Sequence, residues 1–352
     1  MKGFNIFSMK YKITIILLAG FLITTLSNSK TLNSSYDILR YDQHIKAGIQ
    51  LSIEQSYTEA IMIFNEIKRT SPENPIGYFF HAAVLQTKMM DCETYDQEKI
   101  FFALMDSTIS YAKNQITRNK NDAWAYFYLG SAYGYRSFYL SKQKKYVEAF
   151  HNARLSIRGL EMAVKIDSTL YDAYLGLGTY KYYQSHFSKY ISWMPFIEDE
   201  RETGITMVKI AMDKSRYSYY SALNTICWML IEEKKYKEGL SLIKPVLQDF
   251  PESRIFLWCA AKLSKKLENW PEAMSYYTQI LQSFKKENIY SPFNELTCRK
   301  NLSEIYFHLK EYDKAKQECE KAAQIKFESM PKRQNAQTLK ALEKNCSTYH
   351  FR

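Results

Sequence analysis

Two short units of the same form, 34 residues apart, limit what this chain can fold into more than any other feature of its sequence. Tyr236-Lys-Glu-Gly239 and Trp270-Pro-Glu-Ala273 each contain an aromatic residue, two intervening residues of which the second is acidic, and a glycine or alanine. A small residue early in a helix lets another helix cross closely, because the distance between helix axes follows side-chain size at the contact. The spacing therefore predicts stacked helix–turn–helix repeats in which each unit begins the second helix.

The same unit recurs in three other parts of the chain. Proline also recurs at one repeat position, at Pro72 and Pro251, where it is typical of a helix end. Because several motifs agree on one repeat frame, we expect one continuous stack of repeats rather than separate domains. The further units occupy residues 57–60, 146–149 and 312–315.

These units, together with the pair Leu129-Gly130 and the two prolines, resemble the tetratricopeptide repeat family over most of residues 41–326. The resemblance implies an all-α fold, a right-handed solenoid of about seven helical hairpins that serves as a non-enzymatic protein-binding scaffold. Composition agrees, since Gly (11) and Pro (8) are scarce and no sustained period-two alternation indicates strands.

The second and fourth repeats depart from the family pattern, and the third departs from the regular spacing. In the third repeat, residues 121–167, the turn unit comes seven residues late and the second helix is longer by the same amount, so we expect a protruding hairpin. In the fourth, residues 187–202 form an insertion with an apolar stretch at 193–197. That stretch either contacts a ligand or membrane or folds back onto neighbouring helices.

The N-terminal residues predict export. Lys10 and Lys12 precede an apolar run, residues 13–26, which is shorter than the roughly 20 residues of a membrane-spanning helix. Small residues follow it, so residues 1–29 are interpreted as a signal peptide of an exported, bacterial-type repeat protein that is periplasmic or secreted. The alternative is an uncleaved membrane anchor at residues 13–26. We further expect a polar lead at residues 30–40 and a capping helix with a tail at residues 327–352.

Residue types that carry chemistry do not form recognisable sites. The six His are never spaced for a helical metal site, and the six Cys form no CxxC pair, so no metal or cofactor is predicted. Cys227, Cys259 and Cys319 fall at buried-type positions as small apolar fillers, although one disulfide is possible. Leu175-Gly-Leu-Gly178 lies in a helix pattern and favours close helix packing over phosphate binding. An enzyme with an unrecognised site is the remaining alternative.

The net charge of +11 is spread along the helices. Such a pattern is typical of a solvated helical surface, or of a basic surface that meets anionic envelope lipid or an acidic partner. No recognition motif for nucleic acid accompanies the charge, so we predict that nucleic acid is not the partner. The oligomeric state is left open by the sequence.

The remaining candidate site is the concave groove that the family resemblance implies along the first helices of the repeats. Aromatic anchors with lysines at the edge suit an extended or helical peptide that carries acidic residues. The alternative is that these aromatic residues pack against adjacent repeats. The predicted groove residues are Trp124, Phe127, Tyr182, Tyr183, Trp228, Trp258, Lys262, Lys265 and Lys266.

Overall fold

A computed structural model describes residues 34–188 and 198–325, and every regular element in that part of the chain is an α-helix. Consecutive helices pair as hairpins, and each hairpin packs on the next. The predicted fold class, an all-α solenoid of about seven helix–turn–helix repeats, is therefore confirmed. The helices are α1 (Ser34–Ile53), α2 (Tyr57–Thr70), α3 (Pro75–Cys92), α4 (Glu98–Arg118), α5 (Ala123–Lys142), α6 (Tyr146–Ile166), α7 (Asp172–Ser188), α8 (Arg201–Lys214), α9 (Tyr219–Glu232), α10 (Tyr236–Asp249), α11 (Arg254–Lys266), α12 (Trp270–Lys286), α13 (Pro292–His308) and α14 (Tyr312–Ala323).

The turns inside five hairpins share one backbone conformation. In each, the residue two positions before the aromatic of the repeat unit has a φ of 58–62°. The next amide then donates to a carbonyl five residues earlier, as the Lys235 amide does to the Leu230 carbonyl at 2.8 Å, which closes a Schellman-type helix end. The recurrence confirms the phase of the sequence repeat. The left-handed residues are Gln55, Lys144, Lys234, Glu268 and Lys310.

Glycines bring the two helices of the central hairpins into backbone contact. A Cβ on Gly159 of α6 would lie 2.7 Å from the Cα of Gly130 of α5. A Cβ on Gly204 of α8 would lie 2.6 Å from the carbonyl oxygen of Gly178 of α7. Such distances are too short for any side chain, so these crossings require glycine on both helices.

The third hairpin is long, as the late turn unit predicts. Helices α5 and α6 contain 20 and 21 residues, whereas α9 and α10 contain 14 each. At the connection between α5 and α6, Tyr146 and Val147 are 65% and 85% exposed.

The first helix begins earlier than the sequence predicts. Residues 30–40 are expected to be a polar lead, but α1 starts at Ser34. Its buried residues Ile38, Tyr41 and Ile45 recur at the spacing of one helix face, which anchors this first turn to the core. In the fourth repeat, too, a helix starts inside a segment that was predicted to be irregular: α8 starts at Arg201, within the insertion predicted at residues 187–202.

Three predicted segments lie outside the described residues. These are the signal peptide or anchor at residues 1–29, the apolar stretch at residues 193–197, and the capping helix and tail at residues 327–352. Within residues 34–188 and 198–325, no helix is both long enough and apolar enough to span a bilayer.

The first hairpin is joined to the middle of the chain by a buried acid. Asp42 of α1 accepts from Arg216 Nε at 2.7 Å and from the Tyr217 hydroxyl at 2.9 Å, across the turn before α9. Burial raises the pKa of Asp42, but hydrogen bonds from Lys46, Arg216 and Tyr217 outweigh it and lower the pKa to about 2. This carboxylate is therefore held ionised in a contact between parts of the chain that are distant in sequence.

A second link joins the first two hairpins to the C-terminal repeats. Arg254, which is fully buried at the start of α11, donates from Nη2 to Asp91 Oδ2 at 2.6 Å and is also paired with Glu287. The Tyr57 hydroxyl donates to the same carboxylate at 3.0 Å, and Asn294 Nδ2 donates to the Asp91 carbonyl at 2.6 Å.

In a linear solenoid each repeat contacts only its neighbours. Here hairpins one and two also contact the starts of α9, α11 and α13, so the stack closes back on itself. The sequence pattern did not predict this closure.

The cysteines of the described residues are all buried in the fold. Cys92, Cys227, Cys259 and Cys298 are free and buried, which confirms the role of Cys227 and Cys259 as small apolar fillers. Cys319 is disulfide-bonded. Among the described residues, no group of three or more His, Cys, Asp or Glu could hold a metal ion.

Candidate partner-binding site

One face of α11 carries the centre of the candidate site. Trp258, Lys262 and Lys265 recur at intervals of four and three residues, so they lie on one side of the helix, and each is half-buried. The other faces of α11 are packed into the core, where Phe256 and Leu263 are fully buried. Packing of the helix therefore fixes the direction in which the exposed face points.

A second tryptophan extends this face onto α9. Lys262 Nζ lies 4.8 Å from the centre of the Trp228 ring, a cation–π contact that joins adjacent first helices. Trp258 packs edge-on against Tyr277 of α12, with ring centres 6.2 Å apart. Both indoles are half-buried, so one side of each ring is supported by the protein while part of the ring remains accessible.

Lysines continue the face toward α13. Lys265 Nζ donates to Asn301 Oδ1 at 2.6 Å and is paired with Glu304 of the same helix. Burial lowers the pKa of Lys265, and the nearby positive charges of Lys300 and Lys266 act in the same direction. This end of the face therefore carries three lysines, Lys265, Lys266 and Lys300, together with the carboxylate of Glu304.

Tyr183 of α7 completes the face on its other side. Burial raises the pKa of Tyr183 to about 12, with further contributions from Glu232 at the end of α9 and Cys259 of α11. The Tyr183 ring is half-buried and packs against the same hydrophobic core as Trp228 and Trp258. We call the residues Tyr183, Trp228, Trp258, Lys262 and Lys265 the aromatic–lysine strip.

The remaining predicted groove residues lie elsewhere, except for Lys266. Tyr182 is fully buried, its hydroxyl donates to Glu233 Oε1 at 2.9 Å, and burial raises its pKa. Its neighbour Tyr183 points to a different side of α7, since successive helical residues differ by about 100°. Lys266 is exposed at the end of α11, next to the strip.

Trp124 and Phe127 belong to a separate aromatic cluster on α5. Phe127 is buried, and its ring centre lies 5.3 Å from that of Trp124. Trp124 also contacts the ring of Tyr217 at 5.9 Å, and Tyr217 is the residue that binds Asp42 in the closure. On α5, the ring of Trp124 therefore packs against other aromatic residues of the chain, Phe127 and Tyr217. The structure therefore brings together the C-terminal part of the predicted site and separates it from Trp124 and Phe127.

The buried Arg254 was missed by the sequence-based prediction. It donates hydrogen bonds to two carboxylates and lies 4.4 Å from the centre of the Phe284 ring, so its charge is fully compensated inside the protein. The only sequence signal is its place at the first position of a repeat, where an arginine is as readily interpreted as a solvated helix start.

No protein-family model matches the chain, and no curated protein matches it. Solved structures of similar fold include the C-terminal part of a TPR repeat-containing protein from Cytophaga hutchinsonii, at 15% identity and a TM-score of 0.43, over 84% of this chain and 99% of that one. Yeast Tom70 is similar at 14% identity and a TM-score of 0.43, over 84% and 60% of the two chains. Human IFIT1, solved with PPP-AAAA, is similar at 10% identity and a TM-score of 0.42, over 76% and 56%. Because these identities and TM-scores are low, the fold assignment rests on the helical hairpins of this chain and not on the similarity to these structures.

Proposed function

We propose that this protein is an exported, non-enzymatic scaffold that binds an extended acidic segment of a partner protein along the aromatic–lysine strip. The observation that carries the proposal is the arrangement of Trp228 and Trp258 on adjacent first helices, with Lys262 against the Trp228 ring. A solenoid of helical hairpins presents such a face as a scaffold for protein interaction.

The chemistry of the strip favours an acidic peptide over an apolar one. Half-exposed indoles provide large, rigid contact surfaces that commonly dominate binding energy. Lys262 and Lys266 add positive charge beside them, whereas Lys265 is already paired with Glu304, so carboxylates on the bound segment would find partners at Lys262 and Lys266. We expect affinity to fall as the salt concentration rises, because much of this charge is solvent-accessible.

Export is the second part of the proposal. It is supported by the signal-peptide pattern of residues 1–29 and by the disulfide of Cys319, which suits an oxidising compartment. Mass spectrometry of the protein from its native envelope should show a chain that begins near Lys30. A chain that retains Met1 or Met9 would instead indicate a membrane anchor at residues 13–26.

The strip is tested by Trp258→Ala. If the indole binds the partner, the substitution should weaken partner affinity by about 2 kcal/mol or more. The partner is first captured from envelope extract on the wild-type protein, and affinities are then measured by calorimetry with the purified partner. Trp270→Ala is the matched control, since Trp270 is also half-buried but stacks on His308 outside the strip, with ring centres 4.3 Å apart.

The control variant should retain partner affinity. A different outcome decides against the strip: if Trp258→Ala costs about 3–5 kcal/mol of unfolding free energy and the folded fraction binds normally, the indole is inter-repeat core. A single-stranded RNA oligonucleotide serves as a further probe. Tight RNA binding that Trp258→Ala abolishes would assign the strip to nucleic acid instead.

A further inference from the structure

Large apolar side chains are concentrated at the free end of the long third hairpin. Of the ten large hydrophobic residues that are exposed among the described residues, four lie within residues 138–150, which we call the hairpin tip. They are Phe138 (47% exposed), Tyr146 (65%), Val147 (85%) and Phe150 (55%).

These side chains are not needed to fill the interior of the hairpin. The inside of this end is already occupied by Tyr139, Leu140 and Ala149, all buried. The Ser137 hydroxyl donates to the Ala149 carbonyl at 2.7 Å across the two helices, so the residues that follow each of these, Phe138 and Phe150, lie at one level of the hairpin. The apolar residues therefore lie on the outside of this end of the hairpin.

Positive charge surrounds this apolar surface. Lys142, Lys144 and Lys145 are all exposed, and none of them forms an ion pair within the part of the chain that the structure describes. Glu148 is the one acidic residue in the sequence of the tip. Farther along α6, Arg154 and Arg158 are also exposed, followed by the exposed Glu161.

The adjacent turn between α3 and α4 adds to the apolar surface and carries the nearest acids. Its Tyr95 ring lies 6.0 Å from the Tyr139 ring, and Ile100 at the start of α4 is 51% exposed. Among its acids, Glu93 accepts from the Tyr95 hydroxyl, and Glu98 accepts from the Gln143 amide. Both carboxylates are thus hydrogen-bonded within the protein. Glu93 also interacts electrostatically with Lys142, whereas Lys144 and Lys145 are exposed in the turn between α5 and α6.

We propose that the hairpin tip inserts into the surface of an anionic lipid bilayer. Aromatic residues favour the interface between water and hydrocarbon, and lysines beside them place their stems along apolar surface and their ammonium groups among lipid phosphates. A peptide is typically bound in a groove, whereas these apolar residues lie on the outside of a hairpin end beside lysines, so lipid fits better than a partner protein. This inference does not depend on the aromatic–lysine strip.

Vesicle flotation tests the proposal with the full-length chain. The probe is vesicles of phosphatidylcholine mixed with phosphatidylglycerol, and the variant is Val147→Asp with Phe150→Asp. The matched control is Leu39→Asp with Met62→Asp, which adds the same charge at residues that are 63% and 65% exposed on other helices. The tip variant should bind these vesicles at least about 10-fold more weakly than wild type, while the control binds normally. Equal binding by the two variants would overturn the proposal.

A local measurement separates the tip from any other lipid-binding segment, including residues 13–26. A polarity-sensitive fluorophore is attached to Val147→Cys and, for comparison, to Met62→Cys. The free cysteines of the described residues are buried, so labelling under native conditions should favour the new thiol, and labelled wild type supplies the background.

Phosphatidylglycerol vesicles should shift the emission of the Val147→Cys conjugate to the blue and leave the other conjugate unchanged. An unchanged Val147→Cys spectrum on a chain that floats would show that another segment carries the binding. Light scattering without vesicles tests the remaining possibility, self-association through the tip. If wild type binds no vesicles but self-associates, and the tip variant does not self-associate, the tip is instead a contact with a second copy of the chain.

Discussion

The central and C-terminal hairpins pack their helices in different ways. In α5–α6 and α7–α8, glycines face glycines and backbone touches backbone. In α9–α10, a Cβ on Gly239 would meet the Leu263 side chain of the next hairpin at 2.9 Å, while Leu230 on its own partner helix lies at an ordinary 3.6 Å. The corresponding position of the next repeat holds Ala273, fully buried. A helix crossing thus tolerates a Cβ where a side chain is the neighbour, and not where backbone is.

The largest effect is expected at the glycine crossings. Gly159→Ala places a methyl group 2.7 Å from the Gly130 Cα, and a backbone atom cannot move aside without separating α5 from α6. We expect a loss of about 3 kcal/mol of unfolding free energy, since overpacking outweighs the gain in helix propensity. Denaturant titration monitored by circular dichroism measures it. A loss below about 1 kcal/mol would show that the two helices can separate at little cost.

An intermediate effect is expected at the alanine of the sixth repeat. Ala273→Leu adds three carbons at a fully buried position early in α12, so we expect it to destabilise the protein by about 1–3 kcal/mol. Ser275→Leu, at an exposed position of the same helix, is the control and should change stability by less than about 0.5 kcal/mol. Identical thermal melts for the two variants would contradict the repeat frame.

The smallest effect is expected for Gly239→Ala. The new methyl group meets the end of the Leu263 side chain, which can rotate, and alanine favours the helix by up to about 1 kcal/mol over glycine. We therefore expect a net change within about 1 kcal/mol of zero. A loss as large as that of Gly159→Ala would remove the proposed distinction between the two regions, because it would mean that Leu263 is as immovable as backbone.

Local features of the fold were predictable from the sequence, because each repeat carries its own signals. The aromatic and small residues of the unit fix where each second helix begins, and the late unit at residues 146–149 predicted the long hairpin. Gly178 was correctly interpreted as a residue for close helix packing. The closure was not predictable, since Asp91 and Arg254 are 163 residues apart and each resembles an ordinary surface charge of a helix.

The candidate site was predictable only in part. Trp258, Lys262 and Lys265 share one face because of helical periodicity alone, so their grouping could be predicted. Burial of Tyr182 and Phe127 depends on how each helix is rotated about its axis. A rotation of about 100°, the angle between successive residues, exchanges an exposed position for a buried one. The pairing of Lys265 with Glu304 likewise depends on the spacing of two repeats in space.

The buried pair of Asp91 and Arg254 also fixes the length of the molecule. Linear repeat arrays can gain or lose a unit, because each unit needs only its neighbours. Here the second and sixth hairpins must meet, so removing or duplicating any hairpin between them would leave an arginine and a carboxylate buried without each other. The number of repeats between these two residues is therefore as much a requirement of the fold as the residues themselves.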